Sequence, residues 1–101
     1  MVLCAGSLFA QDMPPSLAGT WLNEDSQVLF IQLTGEFKRL NPDKSLVSEG
    51  KIHICDEGKM HIKREDKEDE YDLVYFVGKE TLAVTKPHDP KHAWLFKKIG
   101  N

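Results

Sequence analysis

Lys51-Ile52-His53-Ile54-Cys55-Asp56-Glu57-Gly58-Lys59-Met60-His61-Ile62-Lys63 is the stretch on which the reading of the whole chain turns. Apolar and polar residues alternate on either side of Asp56-Glu57-Gly58, which is the period of a strand and not of a helix. A three-residue turn with Gly58 in the left-handed conformation sets Ile54 opposite Met60 and Ile52 opposite Ile62, so one face of the hairpin is wholly apolar. The other face carries Lys51, His53, Cys55, Lys59, His61 and Lys63. A slip of one residue would put Ile54 against His61 and mix the faces, so the register is strongly specified.

The same punctuation runs outward from this hairpin in both directions. Short apolar segments at residues 20–23, 27–33, 36–40, 46–54, 59–64, 71–77, 81–85 and 93–98 are separated by Gly, Asp and Pro, with no long window of helical period. Connections this short join antiparallel neighbours, and the spacing predicts an all-β, up-and-down meander of about eight short strands. In the hairpin around Gly78-Lys79, a two-residue type II′ turn sets Val77 against Glu80, Tyr75 against Leu82 and Leu73 against Val84. Val74 and Phe76 then share the opposite face with Ala83 and Thr81, so this ribbon is covered twice or has one face on a cavity. The hairpin around Thr34-Gly35 is left without a register, because Leu29, Phe30, Ile31, Leu33 and Phe37 permit more than one. Closing the meander into a barrel removes both sheet edges, the alternative being an open, strongly curved sheet. Closure would bring Trp21 beside the last segment, where Trp94, Phe96 and Ile99 complete one aromatic cluster.

Composition narrows the function classes. A chain of 101 residues is one domain, and 41% hydrophobic with 29% charged residues is the balance of a folded globular protein. A formal net charge of -3 with both signs interspersed supplies no basic field for nucleic acid. The longest apolar stretch, Val2 to Ala10, is too short to span a bilayer as a helix. It resembles the back half of a secretory signal peptide, truncated before its charged region, with Ala10 at the cut; the alternative is an ordinary first strand. The expected organisation is a leader over residues 1–10, a linker over 11–16 containing Pro14-Pro15, and a barrel over 17–101, secreted or periplasmic. Without the leader Cys55 is the one cysteine left and no intrachain disulfide forms; with it, a Cys4 to Cys55 bridge becomes possible.

Gly19-Thr20-Trp21 in the first strand resembles the Gly-x-Trp signature of the lipocalin and fatty-acid-binding superfamily. Thr34-Gly35-Glu36-Phe37, Glu49-Gly50-Lys51-Ile52, Tyr71-Asp72-Leu73, Thr81-Leu82-Ala83-Val84 and Trp94-Leu95-Phe96-Lys97-Lys98 are similar to the short lipocalin-like domains exported by bacteria. The resemblance implies a barrel closed by Gly19, Trp21 and a basic residue of the last strand, Lys97 or Lys98, laid over the Trp21 ring where the family has Arg. It also implies a small apolar ligand, in a cavity shortened with the chain.

Among chemical candidates, His53 and His61 fall opposite each other with Cys55 on the same face, at the roughly 5 Å Cβ separation of cross-strand pairs that can share zinc or copper. No fourth ligand is evident, and Lys51, Lys59 and Lys63 on that face oppose a cation, so a solvated polar face is the expectation and no metal or other cofactor is assigned. His88-Asp89-Pro90-Lys91-His92 reads as a loop, and Glu65-Asp66-Lys67-Glu68-Asp69-Glu70 as a solvated connection without a calcium loop's glycine. No nucleophile elbow, phosphate-cradling glycine loop or zinc-protease helix is present, and no enzyme activity is expected. The leading expectation is a binding barrel holding an apolar or amphipathic molecule among Trp21, Phe30, Phe37, Leu73, Tyr75 and Trp94, residues that would equally fill a solid core. The alternative is a solid barrel that meets a protein partner through an outer face including Val74 and Phe76.

Overall fold

Eight antiparallel strands follow one another around a closed barrel in the computed structural model, which describes residues 13–56 and 58–100. They are β1 (Gly19–Asn23), β2 (Val28–Ile31), β3 (Glu36–Leu40), β4 (Leu46–Asp56), β5 (Lys59–Arg64), β6 (Asp69–Val77), β7 (Thr81–Lys86) and β8 (Asp89–Gly100). The ring closes where β1 pairs with β8, Trp21 opposite Lys98 and Asn23 opposite Phe96, with a bulge between Thr20 and Trp21. No strand is left with an unpaired edge, which is the physical gain of closure for a meander this short.

The inward positions follow from the pairing and the two-residue period of each strand. Trp21 lies opposite Leu29, Leu29 opposite Arg39, and Arg39 opposite Ser48. Ile52 faces Ile62 and Ile54 faces Met60 around the decisive hairpin, and His53 faces His61 on its outer side, as the alternation requires. Ile52, Ile54, Met60, Ile62, Leu73, Tyr75, Leu82, Val84 and Phe96 are buried in one interior cluster with Trp21 and Ile31.

One expected pairing and one expected pocket residue are corrected. Around Gly78 the register is displaced by two residues: Val77 pairs with Leu82, Phe76 with Ala83, Tyr75 with Val84 and Val74 with Thr85. The turn is longer because Gly78 N–H donates to the Thr81 carbonyl, while the Glu80 carbonyl is taken by Lys98 N–H of β8 and is not free for the Val77 ladder. An even displacement keeps each side chain on its expected face. The first hairpin pairs Ile31 with Phe37 around Gly35, which sends Phe30 outward, 40% exposed and opposite Lys38; it is no part of the interior.

Because neighbouring strands alternate in direction, the β2–β3, β4–β5 and β6–β7 turns lie at one end, here the base, together with residues 13–18. The other four turns form the mouth. At the base, Leu17 N–H donates to the Pro14 carbonyl at 2.9 Å, folding one turn that tucks Leu17 and Met13 into the interior cluster. Gly19 follows with φ +142, and a Cβ there would stand 2.8 Å from both the Gly100 carbonyl oxygen and Lys98 Cε. The end of β8 can approach β1 this closely because residue 19 has no side chain.

Candidate functional site

A cavity of about 790 Å³ occupies the barrel between the plugged base and the mouth. Its apolar wall is built by strand alternation: Leu29 and Ile31 from β2, Phe37 from β3, Ile52 from β4, Ile62 from β5 and Leu73 from β6 all point inward. Toward the mouth the lining becomes polar. Arg39, Ser48, Arg64, Asp69, Tyr71 and Lys86 line it there, and Pro87, His88 and Trp94 of the β7–β8 corner stand beside them.

The two inward arginines differ in their partners. Arg64 is clamped by Asp69, with Nε donating to Oδ1 at 2.6 Å and Nη2 donating to Oδ2, and its guanidinium lies 5.3 Å from the centre of the Tyr71 ring. The hydrogen bond from Arg64 holds the Asp69 carboxyl below the usual carboxylate range. Arg39 makes no ion pair among the described residues, and its buried Nε has no hydrogen-bond partner there. Burial raises the Tyr71 phenol above its ordinary value, against the opposing pull of the positive charges of Arg64 and Arg39. At the rim, Lys86 Nζ stands 6.0 Å from the Trp94 ring centre.

The acidic run after Arg64 is largely exposed, as a solvated connection should be, and it also anchors neighbouring strands. Asp66 accepts the Glu49 backbone N–H at 3.0 Å and the Ser48 hydroxyl at 3.4 Å, tying the β5–β6 turn to β4. Glu70 and Asp72 flank His61 on the outer face, at 2.9 Å from Nε2 and 2.7 Å from Nδ1. With a carboxylate on each ring nitrogen, both nitrogens are donors and the charged imidazolium is the favoured form. Burial opposes that charge, but the hydrogen bonds to Glu70 and Asp72 outweigh it and raise the His61 pKa. The His53 pKa is lowered by burial and by Lys51, His61 and Lys63 nearby.

Of the residues expected to form a pocket, Phe37, Leu73 and Trp94 line the cavity. Trp21 and Tyr75 are buried in the cluster but do not line it, and Phe30 is outside. The expected aromatic cluster at the chain ends is reduced to Trp21 and Phe96, because Trp94 is 43% exposed at the mouth and Ile99 53% exposed. Lys98 lies over the Trp21 ring at 5.4 Å, whereas Lys97 is one residue out of phase and exposed. Of the candidate metal ligands, Cys55 is disulfide-bonded and supplies no thiolate, and His61 is taken by two acids. No group of three such ligands able to hold a metal occurs among the described residues. Cys4, the partner considered for Cys55, and the leader-like residues 1–10 lie outside the described residues. In the stretch read as a loop, only residues 87 and 88 turn; β8 begins at Asp89, whose Oδ2 is 2.7 Å from His92 Nδ1.

Sequence reasoning missed Arg39, Arg64, Tyr71 and Lys86. The signal was parity: Arg39 is two residues from Phe37 and Arg64 two from Ile62, so each shares its neighbour's inward face. The closed eight-strand antiparallel meander is compatible with a lipocalin-like fold. Comparison with protein-family models, with curated proteins and with solved structures finds no match for the chain.

Proposed function

We propose that this chain is an exported binding barrel, a short lipocalin-like domain that holds a small apolar or amphipathic molecule. The observation that carries the reading is the cavity of about 790 Å³. Its volume lies in the roughly 300–1,000 Å³ range of small-molecule sites, and its apolar depth with a polar rim is the usual division of labour in such sites. Support for the family comes from Gly19-Thr20-Trp21 in β1 and from the closed meander, and support for export from the disulfide-bonded Cys55, since such bonds persist in oxidising compartments.

The test is titration with the neutral fluorophore N-phenyl-1-naphthylamine. Saturable binding is expected, with Val84→Trp, which places bulk in the cavity, weakening it roughly tenfold or more while the fold is kept. If the wild type does not bind the probe, or if Val84→Trp binds it equally well, the cavity is not the site and the reading fails.

A second reading has one observation in its favour. Phe76, 65% exposed, and Leu95, 51% exposed, flank Ala83 across β6, β7 and β8 on the outer wall. A protein-interaction role would use that face, and sedimentation of the wild type against Phe76→Ser would reveal self-association through it.

A further inference from the structure

Resting on the reading of the cavity as a ligand site, we propose that the ligand is an organic anion whose carboxylate or sulfonate-type group is bound by Arg39. Its apolar body then fills the cavity below.

Arg39 sits on β3 between Leu29 and Ser48 in the pairing and shares the inward face with Phe37, so its guanidinium enters the cavity from the mouth-side end of the strand. Arginine keeps its charge at any physiological pH, so it cannot relieve burial by losing a proton. A buried donor without a protein acceptor is costly unless water or a ligand supplies one. Here the buried Nε of Arg39 has no partner among the described residues.

The acids that line the cavity, and Asp66 beside them, are engaged elsewhere. Asp69 is bound by Arg64, Asp66 by the Glu49 N–H and Ser48, and Glu70 and Asp72 by His61. Lys86 adds a second cation at the rim, over Trp94 and with no ion pair among the described residues. The planar guanidinium fork matches the oxyanion of a carboxylate or sulfonate, and such charge-assisted bonds strengthen where water is excluded. Arg64 has the same chemistry but its fork is filled, which makes Arg39 the selective residue.

Two probes that differ by one group test this. 1-Anilinonaphthalene-8-sulfonate is N-phenyl-1-naphthylamine carrying a sulfonate. Arg39→Met is expected to weaken the sulfonate probe roughly tenfold or more, the range of a charge-assisted hydrogen bond, and to change the neutral probe less than about threefold. Arg39→Lys, which keeps the charge and loses the fork, should fall between, and it serves if Arg39→Met does not fold. The ligand-free Tm of Arg39→Met is expected to equal or exceed that of the wild type, because an unpaired buried donor has been removed. Equal losses for both probes, or none for the sulfonate, would overturn the anion site while neutral binding kept the cavity reading alive. Failure of both probes to bind the wild type would end both.

Discussion

The two tryptophans of this chain sit at opposite ends of the barrel, each beneath a lysine, yet they are in opposite situations. Trp21 is fully buried at the base, its indole N–H donating to the Leu17 carbonyl at 3.0 Å and Lys98 Nζ 5.4 Å from the ring. Trp94 stands 43% exposed at the mouth, with Lys86 Nζ 6.0 Å from its ring. The same pair of residue types therefore makes a plug at one end and a rim at the other. What separates them is the chain around them. At the base, the Pro14 to Leu17 turn and Gly19 let three segments converge on one ring. At the mouth, the strands end in turns held by polar contacts, such as Gln27 Nε2 donating to Asn41 Oδ1 at 3.0 Å.

The sharpest way to break this contrast is to delete each ring. Trp21→Ala removes a fully buried aromatic and should destabilise by about 3–5 kcal/mol, a large part of the roughly 5–15 kcal/mol by which a domain of this kind is stable. Trp94→Ala should cost under about 1 kcal/mol, since the ring is already half in water, while weakening probe binding at the mouth. Urea denaturation of both variants reads the difference. Equal losses would mean that the mouth is packed as the base is, and the plug-and-rim distinction would be abandoned.

The base was legible in the sequence and the mouth largely was not. Alternation and closure place Trp21 beside the last strand, and the resemblance of Gly19-Thr20-Trp21 to the Gly-x-Trp signature adds a basic partner there; Lys98 lies over the ring. The hairpin at Ile54 and Met60 was equally legible, since a slip by one residue would expose a whole apolar face. Around Gly78 the pattern could not distinguish a register from the one two residues away, because both keep the faces; the choice rests on the Glu80 carbonyl bonding to β8, a contact distant in sequence. The mouth escaped for a related reason. Arg39, Arg64 and Lys86 read as ordinary surface charges until closure turns their strand faces inward. Likewise the acids 66, 69 and 70 look interchangeable in sequence, and each acquires its own partner only when β4, β5 and β6 lie side by side.

Gly19→Ala probes the base from the backbone side. A methyl group there meets Gly100 O and Lys98 Cε at 2.8 Å, on a backbone with φ +142 that side chains rarely adopt. A loss of about 1–3 kcal/mol is expected, with β8 displaced from β1. Amide exchange should then quicken in β1 and β8 while β4 and β5 keep their protection. If β1 and β8 were unaffected, the close approach at Gly19 would not be what lets the ring close.

The wall beneath the mouth should respond to pH where the base does not, because its β5–β6 seam is joined by titratable groups. The His61 pKa is raised: burial works against the charged ring, and the hydrogen bonds to Glu70 and Asp72 more than offset it. The stabilisation is therefore complete below the ordinary histidine value of about 6.5 and fades as pH rises through the higher native value. His53, lowered by burial and by Lys51, acts in the opposite sense: its contribution is present above about 6.5 and is lost as pH falls through its native value. Replacing His61 by Gln removes the first effect and leaves the part of the second that comes from burial, Lys51 and Lys63. The wild type should exceed His61→Gln in Tm by about 2 °C at pH 6, the scale of a partly exposed ion pair, and by less at pH 9. A gap that stayed constant, or widened toward pH 9, would show that the ring holds β5 to β6 by packing alone, and the polar seam would lose its distinction from the apolar plug.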